Sequence, residues 1–318
     1  MTAFDRLISV AEDYAVNEDA YLRHFVVVIN GKRRKLATYA NSEKGNALRE
    51  LHTYVSKYIR GLYHQSPASF AYAKKKNIID CVKIHKCSAT FLKTDIHSYF
   101  DSITFDSAKC VLSGYKRYQK NEDKLNVMLK ACFYNDRLPL GFVSSPVISD
   151  VFLVGLDRKY SKIKNVFYTR YADDFIISTN GENSVDTLEE VCKTLKEDLR
   201  KQGLVLNNRK TYIRTLRNAG DAIHLLGINL VKTEGAENRI TVSDSYIRQT
   251  CMDLTDLFSF NGERDEKEEL CNTVCGKIAF IQMCSMDSMN KLQKMTRVKC
   301  GYSGSLKTTA IRKFCGLI

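Results

Sequence analysis

Residues 166–179 read VFYTRYADDFIIST, and two carboxylates stand inside an otherwise apolar stretch. Phe167 to Tyr171 and Phe175 to Ile177 are rich in aromatic and β-branched residues, which predicts two short strands. Asp173 and Asp174 fall between them, where a hairpin turns. Asp suits a turn because its side chain bonds nearby backbone and tolerates left-handed geometry. Alone, the stretch describes a surface hairpin with a polar tip. The surrounding chain gives it another meaning.

Upstream, TFLKTDIHSYFDSIT (residues 90–104) opens as a strand through Phe91 and Leu92 and then reaches Asp95. A sheet with Asp95 on one strand and Asp173 at the adjacent hairpin brings two or three carboxylates to one edge. Like charges at close range raise each other's pKa, so such a cluster calls for cations. Oxygen-only ligands suit Mg²⁺, which keeps water and substrate phosphates in its shell. Two such ions about 3.5–4 Å apart serve in-line phosphoryl or nucleotidyl transfer.

Around this centre the pattern alternates. Ala3 to Tyr14 predicts a helix, HFVVVIN and KLATYA extended pieces, and Asn41-Ser42 the cap of a long amphipathic helix. Ser107 to Tyr134 has helical periodicity, and RLPLGFVSS (137–145) is a loop that becomes a helix after Pro146. SVDTLEEVCKTLKEDLRKQG is a helix ending at Gly203, followed by a strand LVLN (204–207) leading to Lys210. AIHLLGINL and RITVS predict further strands, and the chain is helical after about residue 245. The expected class is α+β, an antiparallel sheet backed by helices.

Charge is spread unevenly. The chain carries 49 Lys and Arg against 36 acids, a net +13. Residues 31–90, including the run Lys74, Lys75 and Lys76, hold +10 of it, and residues 270–318, including Lys291 and Lys294, hold +7. Two basic ends around a less basic centre fit a polyanion held on both sides. No apolar run approaches the roughly 18 residues that span a bilayer, and the N-terminus lacks a signal-peptide core. A soluble, cytoplasmic protein with no membrane partner is expected. The eleven cysteines lack zinc-ligand spacing, which favours buried reduced thiols over metal.

Five segments in order resemble reverse transcriptases. YADD looks like the family's Y-x-D-D box, and FLKTDIHSYFDSI its first catalytic motif, an Asp with an aromatic residue five positions on. LPLGFVSSPVISDVFL is similar to P-Q-G-x-x-x-S-P, GLVLNNRKT to the segment after the catalytic hairpin, and HLLGINL to the hairpin that grips the primer strand. The resemblance implies a right-hand polymerase fold. Fingers would occupy 1–90, an antiparallel-sheet palm 91–245 with a helical part at about 105–135, and a short helical thumb 246–318. It implies RNA-directed DNA synthesis with two Mg²⁺ ions (Mn²⁺ as a substitute), an RNA template, a DNA primer and product, and dNTPs.

Carried over residue by residue, Asp95 and Asp173 are the principal metal ligands, with Asp174 nearer the second shell of the metals. Phe100 matches the aromatic gate against a ribose 2′-OH; a core Phe is the alternative. Lys210 matches the lysine that protonates pyrophosphate, or else makes a plain phosphate contact. Arg34, or its neighbours Arg33 and Lys35, would clamp the triphosphate, because guanidinium binds phosphate bidentately; an exposed basic turn is the other reading. Gly141, Ser145 and Pro146 would shape the loop under the templating base. Gly141 and Tyr171 would adjoin the nucleotide, and Lys74, Lys75, Lys76, Gly227, Lys291 and Lys294 the nucleic acid.

The style is closest to the compact bacterial retron and defence-associated enzymes. Two features depart from it. Leu140 stands where the P-Q-G motif has Gln, and Leu225-Leu226-Gly227 replaces the retron VTG, with no NAxxH segment. The reading is therefore a relative acting in antiviral defence, copying a structured noncoding RNA, with an effector protein as a further partner. A retron enzyme making an RNA–DNA hybrid, and a template-independent or protein-primed polymerase of abortive-infection type, are the alternatives. Phe100 argues against an RNA-making polymerase, and the intact aspartates against an inactive RNA-binding scaffold.

Overall fold

Thr2 caps the first helix, α1 (Ala3–Val16), by accepting from the Asp5 amide while the Asp5 carboxylate accepts from Thr2 in return. The computed structural model describes residues 2–29 and 32–318, without the side chains of Ile29, Lys32, Arg34 and Lys35. The triphosphate contact expected of Arg34 and Lys35 therefore lies outside the described residues. After α2 (Glu18–Tyr21), β1 (Leu22–Ile29) and β2 (Lys32–Tyr39) form an antiparallel hairpin that pairs Leu22 with Tyr39. Ser42 then caps α3 (Glu43–Arg60) through the Gly45 amide, as its sequence predicts.

The chain continues through α4 (Ile78–Lys83), β3 (Thr90–Asp95) and α5 (Tyr99–Ser102). The periodic stretch 107–134 is three helices, α6 (Phe105–Ser113), α7 (Lys116–Gln119) and α8 (Glu122–Lys130), broken near Gly114 and Asn121. Next come α9 (Ser145–Tyr160), β4 (Val166–Tyr171), β5 (Asp174–Thr179) and α10 (Ser184–Lys201). The remainder is β6 (Tyr212–Thr215), β7 (Ala222–Leu225), β8 (Ile228–Val231), β9 (Arg239–Thr241), α11 (Asp244–Ser259), α12 (Arg264–Cys284), α13 (Met286–Cys300) and α14 (Thr308–Phe314).

The class is α+β, as expected. Strands group into a two-stranded sheet, a four-stranded sheet in the order β4-β5-β3-β6, and a three-stranded sheet β7-β8-β9. The contacts divide the chain into two discontinuous units, 1–77 with 91–213, and 78–90 with 214–318. In the first, α9 is buried nearly all round, from Val147, Ile148 and Val151 to Asp150 and Asp157, which marks it as the central helix. In the second, burial pushes the Cys271 thiol up to about 12, so it stays protonated beside Cys275, the sulfurs 3.9 Å apart.

One expected strand is not a strand. Leu204 and Leu206 are buried, but residues 204–207 make only a single bridge, Leu206 to Ile96. The Asn207 amide donates to the Asp95 carbonyl at 2.8 Å, and the Asn207 carbonyl then accepts from Lys210 N at 3.0 Å. That turn stops the ladder, and regular pairing resumes only at Tyr212. Among the described residues no helix is long and apolar enough to cross a membrane.

Candidate active site

The pairing of Tyr171 with Asp174 leaves a two-residue turn, Ala172-Asp173. Asp173 alone sits in the turn, and Asp174 opens β5. Ala172 is left-handed, with φ 56°, a conformation that a residue with a Cβ rarely adopts. The Asp173 carbonyl accepts from the Ile96 amide at 3.1 Å, which ties the turn to the residue following Asp95. The strand order places β5 beside β3, so Asp95, at the end of β3, and Asp173 and Asp174 meet at one edge.

Their electrostatics are incompletely balanced. Asp95 is 4% exposed; its Oδ2 accepts from the Lys210 ammonium, while its Oδ1 is buried without a partner. Burial, and then the charge of Asp173, push the Asp174 carboxyl up to about 6, against the lowering pull of Lys93 and Lys210. The hydrogen bond to Asp95 raises the Lys210 pKa, so that ammonium remains charged. An orphaned buried carboxylate oxygen beside two further carboxylates fits a hard divalent cation, which accepts one or two carboxylates and takes its other ligands from water and phosphates. Among the described residues no group of three or more His, Cys, Asp or Glu side chains could hold a metal ion by itself, and a cation shared with water and substrate phosphates needs only one or two carboxylates.

The other predicted residues are distributed as follows. Phe100, on α5, is half-buried against the core and meets Tyr99 edge-on, with ring centroids 5.7 Å apart. Tyr171 is half-buried at the end of β4, opposite Asp174. Gly141 has φ 119°, and a Cβ there would lie 2.6 Å from the Ala37 carbonyl oxygen, so only glycine lets this loop approach β2. Ser145 is buried and donates to the Pro139 carbonyl at 2.7 Å, closing the loop on itself, and Pro146 occupies the first turn of α9. Lys74 and Lys75 are exposed, whereas the Lys76 ammonium turns inward to the carbonyls of Pro67 (2.6 Å) and Ser69 (2.9 Å). Leu226 and Gly227, at φ 52° and 85°, form the turn between β7 and β8, the pattern of a type I′ hairpin. On α13, Lys291 pairs with Asp244 at 2.7 Å, and Lys294 lines an open hollow with Asn290, Gln293 and Arg297.

Two groups escaped the sequence reading. Tyr39 and His52 hold the loop of Gly141: the Val143 amide donates to the Tyr39 hydroxyl, which lies 2.8 Å from His52 Nδ1. Burial lowers the His52 pKa to about 4, so the ring is neutral. Its Nε2 lies 2.8 Å from the Ala131 carbonyl, which can only accept, so Nε2 carries the proton and Tyr39 donates to Nδ1. The second group is Arg170, fully buried, with Asp150 and Asp157 of α9. The sequence signals only the partners: Asp150 and Asp157 are seven residues apart on one helical face among apolar neighbours, and nothing in YTRYADD marks Arg170 itself as buried.

This edge of carboxylates on an antiparallel sheet, backed by a buried helix, is the palm of a right-hand polymerase. The chain belongs to the reverse transcriptase (RNA-dependent DNA polymerase) family, which it matches over residues 45–230, more than half its length. Reverse transcriptases as a family use divalent metal ions. Among curated relatives, the retron Ec83 reverse transcriptase of Escherichia coli is 30% identical over 179 residues, covering 52% of this chain and 56% of that protein. The retron Ec86 reverse transcriptase of the same organism is 26% identical over 200 residues, covering 61% and 59%. The chain thus spans little more than half the length of these relatives. The fold also matches the apo telomerase of Candida tropicalis, with a TM-score of 0.53 at 13% identity, over 94% of this chain and 62% of that one.

Proposed function

We propose that this chain is an RNA-directed DNA polymerase that extends a primer by two-metal nucleotidyl transfer. The observation carrying the proposal is the Asp95 carboxylate, buried at a strand end with one oxygen unpartnered, beside the turn of Asp173 and Asp174. Asp95 and Asp173 would hold Mg²⁺, with Asp174 behind them. Bound there, the ions would acidify the primer 3′-OH and neutralise the triphosphate. Lys210, charged and at the same edge, protonates or contacts the departing pyrophosphate. Phe100 stands under the incoming sugar and excludes a 2′-OH by overlap. Gly141, Ser145 and Pro146 set the loop under the templating base, and Tyr171 and Arg34 or Lys35 adjoin the nucleotide. Residues 1–90 act as fingers, 91–245 as palm and 246–318 as thumb. Lys74, Lys75, Lys291, Lys294 and the turn at Gly227 contact nucleic acid.

The partner in this reading is a structured noncoding RNA. Its copying serves antiviral defence in the cytoplasm, with an effector protein downstream. The similarity to retron reverse transcriptases supports the alternative, a retron enzyme, for which the product would be an RNA–DNA hybrid. The test is single-nucleotide primer extension on an RNA template, with and without Mg²⁺, using dNTP and rNTP. Synthesis should require the ion and favour dNTP. Phe100→Ala should lower the dNTP-over-rNTP ratio of kcat/KM at least about tenfold, or about 1.4 kcal/mol of discrimination. An unchanged ratio in a destabilised variant would return Phe100 to the core.

A further inference from the structure

Next to the turn that carries Asp173 lies a buried charge network with no part in the chemistry itself. Arg170 sends Nε to Asp157 Oδ1 at 2.9 Å and Nη2 to Asp157 Oδ2 at 2.7 Å, a bidentate pair. Nη2 also donates to Asp150 Oδ1 at 2.9 Å. Hydroxyl groups donate to the same two carboxylates. Asp150 accepts from the hydroxyls of Tyr63 (2.9 Å) and Ser69 (2.7 Å), and Asp157 from Tyr168 (2.8 Å). The backbone of Arg170 is fixed too, its amide donating to the Ala68 carbonyl and its carbonyl accepting from the Phe70 amide. Burial opposes the guanidinium charge, but Asp157 outweighs it and keeps the group protonated.

Such networks are often no more stabilising than apolar residues of equal volume, so stability alone is a weak reason for one. The remaining donor supplies a better reason. Arg170 Nη1 leaves the ion pairs and donates to the Ala172 carbonyl at 3.1 Å. Ala172 is the left-handed residue of the turn, and the next peptide unit belongs to Asp173. A non-glycine residue persists in that conformation when its surroundings over-determine it.

We propose that Arg170 is a positioning residue for nucleotidyl transfer. Locked by Asp157 and Asp150, its guanidinium holds the Ala172 carbonyl, and thereby the turn that aims Asp173 and Asp174 at the metal edge. The proposal rests on the polymerase reading above. A lysine at 170 keeps the charge, but one nitrogen cannot reproduce a planar fork that spans two carboxylates and a carbonyl.

The test uses the full chain with Arg170→Lys, and with Arg170→Met/Asp157→Asn, which removes opposite charges together and guards against misfolding of the first variant. The readouts are kcat and dNTP KM in primer extension, primer–template Kd, and Mn²⁺ affinity of the protein by electron paramagnetic resonance. In a variant that keeps the wild-type circular dichroism, kcat and Mn²⁺ affinity should each fall at least about tenfold, while dNTP KM and primer–template Kd stay within about twofold. A folded variant with wild-type kcat and Mn²⁺ affinity would overturn the proposal and leave Arg170 a purely structural ion pair. A wild-type chain that makes no DNA would instead remove the polymerase reading, and the Mn²⁺ comparison would still decide the role of Arg170.

Discussion

Two groups of carboxylates share the framework of α9 and the β4–β5 hairpin, and their surroundings differ. All four carboxylate oxygens of Asp150 and Asp157 accept hydrogen bonds, from Arg170, Tyr63, Ser69 and Tyr168. Asp95, a few residues from the same turn in space, has one oxygen on Lys210, a side chain 54% exposed, and the other on nothing. In the first group no buried oxygen is left without a donor, so nothing there calls for a ligand. An incomplete set of bonds costs stability unless something external completes it. The first group therefore reads as architecture and the second as chemistry, although both are buried aspartates beside cations.

Substitution should separate the two groups sharply. Asp95→Asn or Asp173→Asn should lower DNA synthesis at least about 10³-fold, or about 4 kcal/mol, while leaving the melting temperature and RNA binding nearly unchanged, because the basic segments carry the affinity. Appreciable synthesis by either variant would break the comparison at its catalytic side. Asp157→Asn should act first on stability and cost about 3 kcal/mol, because a buried guanidinium loses half of its compensation, while synthesis falls far less than in the Asp95 and Asp173 variants, by about the tenfold expected when Arg170 is unlocked. Urea midpoints would show this, and a loss under about 0.5 kcal/mol would mean that the network is dispensable to folding.

A smaller effect sharpens the contrast. The folded Asp174 pKa, about 6, lies above its ordinary 3.8, so the metal-free fold binds the proton more tightly than the unfolded chain does. Ionisation therefore removes stability as pH rises from about 4 to about 6, and the loss persists above that. Asp174→Asn should stabilise the metal-free protein at pH 7.5 by about 1–2 kcal/mol and have almost no effect at pH 4. Equal Tm shifts at both pH values would show that the carboxylate is not strained by its neighbours.

Much of the candidate site was legible in the sequence, because its parts are strand ends. A strand opening with Phe91 and Leu92 leads into Asp95, and two aromatic strands flank Asp173 and Asp174, so local pattern puts each carboxylate at a strand end, and the pairing of β5 with β3 brings the ends together. Arg170 was not legible as a buried group, since one cation in YTRYADD reads as the polar face of a strand. Its burial depends on α9 lying behind it with Asp150 and Asp157, a long-range fact. The lysine run shows the same limit. Lys75 is left-handed, with φ 61°, and the next ammonium, that of Lys76, faces loop carbonyls and lies 4.5 Å from the centre of the Phe70 ring. Three like residues in sequence thus have different surroundings. LVLN misled for a third reason: its apolar residues read as a strand, but the turn at Asn207–Lys210 that halts pairing has no strong turn residue beyond Asn.

The most direct measurement is the anomalous scattering of Mn²⁺ in crystals of the protein with primer, RNA template and a non-hydrolysable dNTP. Metal should be bound to Asp95 Oδ1 and to Asp173, with the Lys210 ammonium displaced from Asp95. Mn²⁺ found only elsewhere, with Lys210 still bonded to Asp95 and Oδ1 still unliganded, would contradict the metal assignment.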